Sequence, residues 1–418
     1  MQCFPGVAHR KAYTLHRPPI SAPLLAAVLA GLAMLGPFSI DTYLPTFPAI
    51  GREFAITPAG LQQTLSAYFL PFSVMMLFHG TLSDSFGRRP VILGSLIVYA
   101  IASVGCVLAP DLAQLLVFRA LQGLSAGAGM VVGRAIIRDS FEGHAAQRLM
   151  SLVTIIFGLA PAIAPILGGW LLGWFGWRSV FVFLTLYALS LLALSWWRLP
   201  ETHPRAVRQP FALARLARNY CKLGRSPHLL LLCATLALNF AGFFIYVVSA
   251  PAFIYNLLGL NEKQFAWLFV PGIAGVMTGA FLSGRFAETV SLRRTVGIAY
   301  CIMFGAAAFN VSYSALAAPA LPWSVLPVML YTTGMAFAMP SVTLLALELF
   351  PSNRGMTSSL QGFTQSFTSA IVAGVVSPLL SHSDITLALG MTGLLSLGCM
   401  SWFIYLWVES RAEADART

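Results

Sequence analysis

Gly80-Thr81-Leu82-Ser83-Asp84-Ser85-Phe86-Gly87-Arg88-Arg89-Pro90 decides how the rest of the chain is read. It is a short charged turn between two apolar runs, 60–82 and 91–109. Gly80 lets two helices approach closely, and Gly87 permits a tight turn. Asp84 ends the first helix within reach of Arg88, or of a cation four runs into the chain, Arg134 or Arg138. Each flanking run is about 20 residues long, the length that crosses a bilayer as a helix.

The same pattern recurs on both sides. Apolar runs fall at 22–49, 60–82, 91–109, 112–137, 149–173, 179–197, 228–250, 262–284, 293–314, 321–346, 358–380 and 385–408. Of the 418 residues, 58% are hydrophobic and 9% charged, against about 25% charged in a soluble domain. The chain has too few polar groups to cover a water-facing surface, so lipid must be its main solvent. Only helices and closed barrels satisfy their backbones in lipid. A barrel needs alternating strands of about 10 residues, and these runs do not alternate. The sequence therefore predicts an all-α membrane protein with 12 transmembrane helices. The first run contains Pro37, Pro45 and Pro48 and is expected to kink or fray at its far end. The first 20 residues are basic without a cleavage-type segment, so the first run reads as a retained helix.

The net charge of +11 comes from basic residues at the ends of the runs, which argues against nucleic acid as a partner. With a cytoplasmic amino terminus, 21 of the 25 Lys and Arg fall on the cytoplasmic side; Arg52, Arg178 and Lys263 face the other side and Arg119 lies within a run. Both termini are thus expected in the cytoplasm. The long basic connection divides the runs six and six. The expected organisation is a cytoplasmic segment 1–21, an N-terminal six-helix half 22–197, a basic linker 198–227, a C-terminal six-helix half 228–408 and a tail 409–418. Phe211 to Lys222 reads as a solvated positive loop or, alternatively, as an amphipathic helix on anionic lipid.

The six cysteines, Cys3, Cys106, Cys221, Cys233, Cys301 and Cys399, lack metal or disulfide spacing, and the seven histidines are scattered. No metal, cofactor or enzyme chemistry is expected.

The turn at 80–90 resembles the signature loop of the major facilitator superfamily, G-x-L-x-D-x-x-G-R-[RK]. The resemblance implies two pseudo-symmetric six-helix halves and a conformational latch of Gly80, Asp84, Gly87, Arg88, Arg89 and Arg138, with Asp84 also approaching the start of helix 11. A degenerate echo, Gly279, Gly284, Arg285, Arg293 and Arg294, stands at the matching place in the second half. Arg119-Ala-Leu-Gln122-Gly123 is similar to the family's helix-4 pattern, in which the arginine is tied to proton coupling. Pro161 and Pro165-Ile-Leu-Gly168-Gly169 resemble the helix-5 motif of drug/proton exporters, with Ala160 and Ala164 in place of two glycines. A structural kink is the plainer reading of that segment.

Asp41 is the acidic residue that stands clearly inside an apolar run. A carboxylate held in low dielectric is a candidate to load and release a proton. Asp41-x-Tyr43-Leu-Pro45-x-x-Pro48 resembles the Bcr/CflA (bicyclomycin/chloramphenicol resistance) branch of the drug:H+ antiporters. Ala33 stands where some multidrug relatives carry a second acid, which favours one proton site. Asp41 lies ~28 Å along its helix and Arg119 ~10 Å from the far end of its own, at 1.5 Å per residue. The two therefore sit at comparable depth, and an Asp41–Arg119 pair is expected as the proton-coupling element. Tyr43, Gln122, Asn239, Tyr246 and Tyr331 are the candidate substrate contacts. The resemblance implies proton-coupled efflux of small, largely apolar drugs from the bacterial inner membrane by a functional monomer. A transporter of a polar metabolite on the same fold is the alternative.

Overall fold

The computed structural model describes residues 21–415. Nearly all of the expected segment 1–21 lies outside the described residues, as do the last three residues.

Twelve helices are long and apolar enough to cross a membrane. Spans 1 to 6 are Ala22–Phe54, Pro58–Phe86, Arg88–Leu108, Leu112–Ser140, Gly143–Phe175 and Arg178–Arg198. Spans 7 to 12 are Pro227–Val248, Glu262–Phe286, Leu292–Leu316, Leu326–Glu348, Arg354–Leu380 and Asp384–Arg411. Each expected run has its helix. The ends differ, because helical hydrogen bonding continues into polar residues beyond the apolar stretch; span 5 starts at Gly143 rather than at 149.

The irregular spans follow their breakers. In span 1 the helix Ala22–Asp41 gives way to a 3-10 turn at Leu44–Thr46 and resumes as Phe47–Phe54. Pro45 and Pro48 lack the N–H that would continue the ladder. Span 4 is two helices, Leu112–Ala126 and Ala128–Ser140, meeting at Gly127. Pro161 and Pro165 leave span 5 a continuous helix of 33 residues.

Eight spans form a ring in the contact order 2–4–1–5–8–10–7–11 and back to 2. Spans 3, 6, 9 and 12 pack outside it. Glycines set the closest crossings: a Cβ on Gly123 would meet the Tyr68 carbonyl, and one on Gly129 the Leu32 carbonyl. Such small-residue contacts supply packing where lipid offers no hydrophobic drive between helices.

The two ends of the ring differ. At the arginine-poor end, four hydrogen bonds join the first six spans to the later ones. Gln62 Nε2 donates to Ser377 Oγ (2.6 Å), Gln63 Nε2 to the Gly374 carbonyl (3.0 Å), Ser66 Oγ to the Ala370 carbonyl (2.8 Å) and Tyr255 Oη to the Pro45 carbonyl (2.8 Å). Among the described residues no such bond joins the two sets of spans directly at the arginine-rich end. Direct hydrogen bonds thus join the two sets of spans at the arginine-poor end.

The linker is structured. Leu213–Gly224 forms a helix that buries Leu216 and Leu223. Its Tyr220 Oη donates to the Leu77 carbonyl of span 2 (3.0 Å) and also interacts with Ser359 of span 11. Burial pushes the Tyr220 phenol above its ordinary value, with the Ser359 hydrogen bond acting the other way.

Candidate functional site

Span 4 carries Arg119 into the protein with no solvent exposure. Taking a guanidinium out of water costs several kcal/mol unless it is compensated. Arg119 Nη1 donates to the Ser39 carbonyl (3.0 Å) and to Gln122 Oε1 (2.9 Å). The charged plane lies between the rings of Tyr43 and Tyr68, each 4.7 Å from it, a cation–π arrangement that strengthens when desolvated. Gln122 Nε2 donates to Ser103 Oγ (2.8 Å), and the Ser39 and Tyr99 hydroxyls share a hydrogen bond. Spans 1, 2, 3 and 4 all contribute.

The guanidinium is not fully satisfied. Nε and Nη2 are buried without a hydrogen-bond partner, which is costly for a charged donor. Asp41 ends the first helix of span 1, two residues beyond Ser39, and is 5% exposed. The depth estimate is thus matched by the Arg119–Ser39 contact. The expected Asp41–Arg119 ion pair is not made in this conformation: Arg119 forms no salt bridge, and Asp41 has no hydrogen-bond or salt-bridge partner among the described residues. The break at Thr42 to Thr46 sets the course of the chain just beyond Asp41.

The candidate substrate contacts are all buried. Tyr43 Oη donates to Thr64 Oγ1 (2.9 Å), Asn239 Nδ2 to Tyr300 Oη (3.1 Å), Tyr331 Oη to the Asn239 carbonyl (2.9 Å), and Tyr246 Oη accepts from Asn310 (2.8 Å). Asn239 also borders a small cavity, with Phe240, Met335 and Met339.

The signature turn makes the first of the two pairings open to Asp84, the one with Arg88, and adds a partner from span 4. Arg88 pairs with Asp84 and, through Nε, with Asp139 Oδ2 (3.0 Å). Among the described residues Arg138 takes no part in an ion pair, and Asp84 makes no hydrogen bond to span 11. Asp139, adjacent to Arg138, was not singled out in the sequence; its position at the end of span 4 is what brings it to Arg88. Arg89 donates to the Trp196 carbonyl (2.5 Å). The Arg88 backbone N–H donates to Glu201 Oε1 (3.0 Å), and Glu201 pairs with Arg208 (3.2 Å), so the linker is part of this network. Gly87 has φ +102°, and a Cβ there would collide with Arg208 and Glu201. Gly80 packs on Val131 of span 4.

In span 5 a Cβ on Gly168 would strike the Thr42 carbonyl, next to Asp41, and one on Gly169 the Glu262 carbonyl of span 8. Ala160 and Ala164, in place of the two glycines, are fully buried. In the echo, Gly279 packs on the Thr333 carbonyl of span 10, and Arg293 pairs with Glu409 (2.8 Å). Among the described residues no group of three His, Cys, Asp or Glu is placed to hold a metal.

The family model of the Major Facilitator Superfamily matches residues 29–374. The chain is 30% identical over 359 residues to the bicyclomycin resistance protein homolog of Haemophilus influenzae, covering 83% of this chain and 87% of that protein. It is 27% identical over 379 residues to multidrug resistance protein D of Escherichia coli strain K12, covering 90% and 94%. A bacterial homolog of the human lysosomal transporter Spinster superposes with a TM-score of 0.70 at 17% identity, over 93% of this chain and 97% of that one. The last likeness is one of fold. The chain belongs to the major facilitator superfamily, and its relatives lie in the drug-resistance branch that the pattern at Asp41 resembles. It is a multi-pass membrane transporter of small molecules.

Proposed function

We propose that this transporter is a proton-coupled exporter of small, largely apolar drugs of phenicol or bicyclomycin type, acting as a monomer in the bacterial inner membrane. The observation that carries the reading is the unpaired state of two buried groups: Asp41 without a partner, and Arg119 with a partnerless Nε–Nη2 edge. A proton on Asp41 removes the need for a counter-charge and fits the present geometry. When that proton leaves, the carboxylate gains a reason to turn towards the free edge of Arg119. One site can then hold either a proton or an ion pair.

The basic end of the ring is the cytoplasmic end, and both termini lie there. The present conformation is then open inward. Residues 22–197 and 228–408 rock about the ring, with span 5 and the Gln62, Gln63 and Ser66 bonds sealing the outer face. A membrane potential of about 100 mV adds ~2.3 kcal/mol per charge moved.

Everted vesicles loaded by a pH gradient test this. Wild type should accumulate a labelled phenicol and dissipate the gradient, and Asp41→Asn should bind the drug while exchanging no protons for it. Drug flux without proton movement in wild type would refute the coupling. Flux of sugars or amino acids instead of phenicols would assign the chain to metabolite transport.

A further inference from the structure

Spans 8 and 9 both pack along span 10, while span 8 otherwise packs on span 5 and span 9 on span 12. Among the described residues no further span covers the groove between 8 and 9 over span 10. At the basic end this groove holds a cavity of about 290 Å³. Ala280, Ser283 and Gly284 of span 8 line it, with Leu292 and Thr295 of span 9 and Ser341 of span 10. The first half shows why there is room. Phe86 ends span 2 as Phe286 ends span 8, and Arg88 begins span 3 as Leu292 begins span 9. Set end to end, Ser83, Asp84 and Arg88 fall on Ser283, Gly284 and Leu292. In the first half Arg88 bridges three spans, bonded to Ser83 Oγ (2.7 Å), to Asp84 and to Asp139 of span 4. In the second half glycine and leucine replace that charge network, and a Cβ on Gly284 would meet nothing within 4 Å. Two hydroxyls are left over: Ser341 is 4% exposed, and neither it nor Ser283 makes a side-chain hydrogen bond among the described residues. A buried hydroxyl without a partner carries a cost that a ligand's acceptor removes.

We propose that this groove is a binding site for one anionic phospholipid of the surrounding leaflet. Its uncovered side faces the bilayer, which suits an acyl chain lying along Ala280, Gly284 and Leu344. The free hydroxyls of Ser283 and Ser341 are donors, and a phospholipid's ester carbonyls are acceptors. The cavity reaches the start of span 9, where Leu292 lines it and Ser291 supplies no side-chain cap. The first N–H groups of that span are therefore available to a phosphate. Arg285 and Arg294 flank the same connection, exposed and without an acidic partner among the described residues. Glu288 lies between them and Arg293 pairs with Glu409, so the connection keeps one net positive charge. With the basic end in the cytoplasm, as proposed above, that charge meets the negative surface of the inner leaflet.

Native mass spectrometry on the purified full-length protein, titrated with dioleoyl phosphatidylglycerol or dioleoyl phosphatidylcholine, tests this. Wild type should hold one phosphatidylglycerol at least about fivefold more tightly than phosphatidylcholine, the worth of one net basic residue against an anionic headgroup. Gly284→Leu should remove that tight equivalent while the unfolding temperature holds or rises, because the new side chain enters open space and leucine is the better helix former. Ser341→Ala, a milder change in the same groove, should weaken both lipids several-fold. Arg285→Gln/Arg294→Gln should equalise the two lipids and leave phosphatidylcholine where it was. Equal affinity for the two lipids in wild type overturns the site, as does a tight equivalent unmoved by Gly284→Leu and Ser341→Ala. A preference that survives the arginine change overturns the charge assignment and the proposal with it. Drug flux is a separate measurement: its absence refutes the exporter reading and leaves the lipid ratio to decide the groove.

Discussion

Removing the side chains that seal the arginine-poor end should shift the protein towards the opposite conformation. Gln62, Gln63 and Ser66 lie along one stretch of span 2 and bond to span 11 at Ser377, Gly374 and Ala370. These bonds exist only while the two spans touch, so they stabilise the closed end selectively. At about 1 kcal/mol each, the triple change Gln62→Ala/Gln63→Ala/Ser66→Ala withdraws ~3 kcal/mol, close to a 100-fold change in the ratio of states. A protein 99% closed at that end would become roughly half open. Spin labels at Asp111→Cys and Ala318→Cys, exposed in the 3–4 and 9–10 connections, would report it by pulsed dipolar spectroscopy once the native cysteines are replaced. The expected result is a second, longer distance of comparable weight. A single unchanged distance in a folded, monodisperse triple variant would show that these bonds do not hold the end shut.

Three further outcomes follow from close contacts. Gly168→Val places a side chain against the Thr42 carbonyl; drug flux should be lost with expression and helix content retained, and retained flux would remove span 5 from the seal. Arg119→Lys gives up the planar stack between Tyr43 and Tyr68 and one of the two Nη1 bonds; a loss of ~2 kcal/mol, about 30-fold in pH-driven flux, is expected, and wild-type flux would refute it. Gly87→Ala costs about 1–3 kcal/mol for a positive-φ, extended backbone that only glycine adopts freely and collides with Arg208 and Glu201; trypsin should then cut at Arg205 and Arg208 several-fold faster, and an unchanged digest would mean the linker docks without this contact.

The twelve spans were legible because each apolar run is a local signal. Their ends were not, since a helix stops where its capping residues and neighbours dictate; Leu112 starts span 4 because the Asp111 side chain accepts from the Gln114 N–H. Asp41 and Arg119 were visible as charges where lipid should exclude them. Tyr68 and Tyr99 were not, because their role depends on which spans adjoin span 4, a property of the ring and of no short segment. The linker's bonds to the signature turn were hidden for the same reason: Glu201 stands 113 residues from the Arg88 N–H it accepts from. Asp384 was also passed over. It is the first residue of span 12, just outside the run at 385, yet it is 6% exposed with Oδ1 unpartnered and Oδ2 accepting from Ser314.

Arg119 also explains why the proposed proton site needs so little machinery. Two aromatic rings and two acceptors hold the cation in place whether or not an anion is present. A site that depended on a permanent carboxylate partner would lose several kcal/mol each time the partner was protonated. Here the stacked rings carry much of that cost, so the two states of Asp41 can lie close in free energy. The Ser39 carbonyl ties the cation to span 1 just ahead of the break at Thr42, and Gly168 of span 5 rests on the Thr42 carbonyl itself. Asp41 therefore stands between the carbonyl that holds Arg119 and the carbonyl on which span 5 seats. On the proposed mechanism these contacts would carry the arrival of a proton to the helix packing, which is why Gly168→Val and Asp41→Asn should differ: the first breaks the seal, the second leaves it intact and disconnects it from the proton.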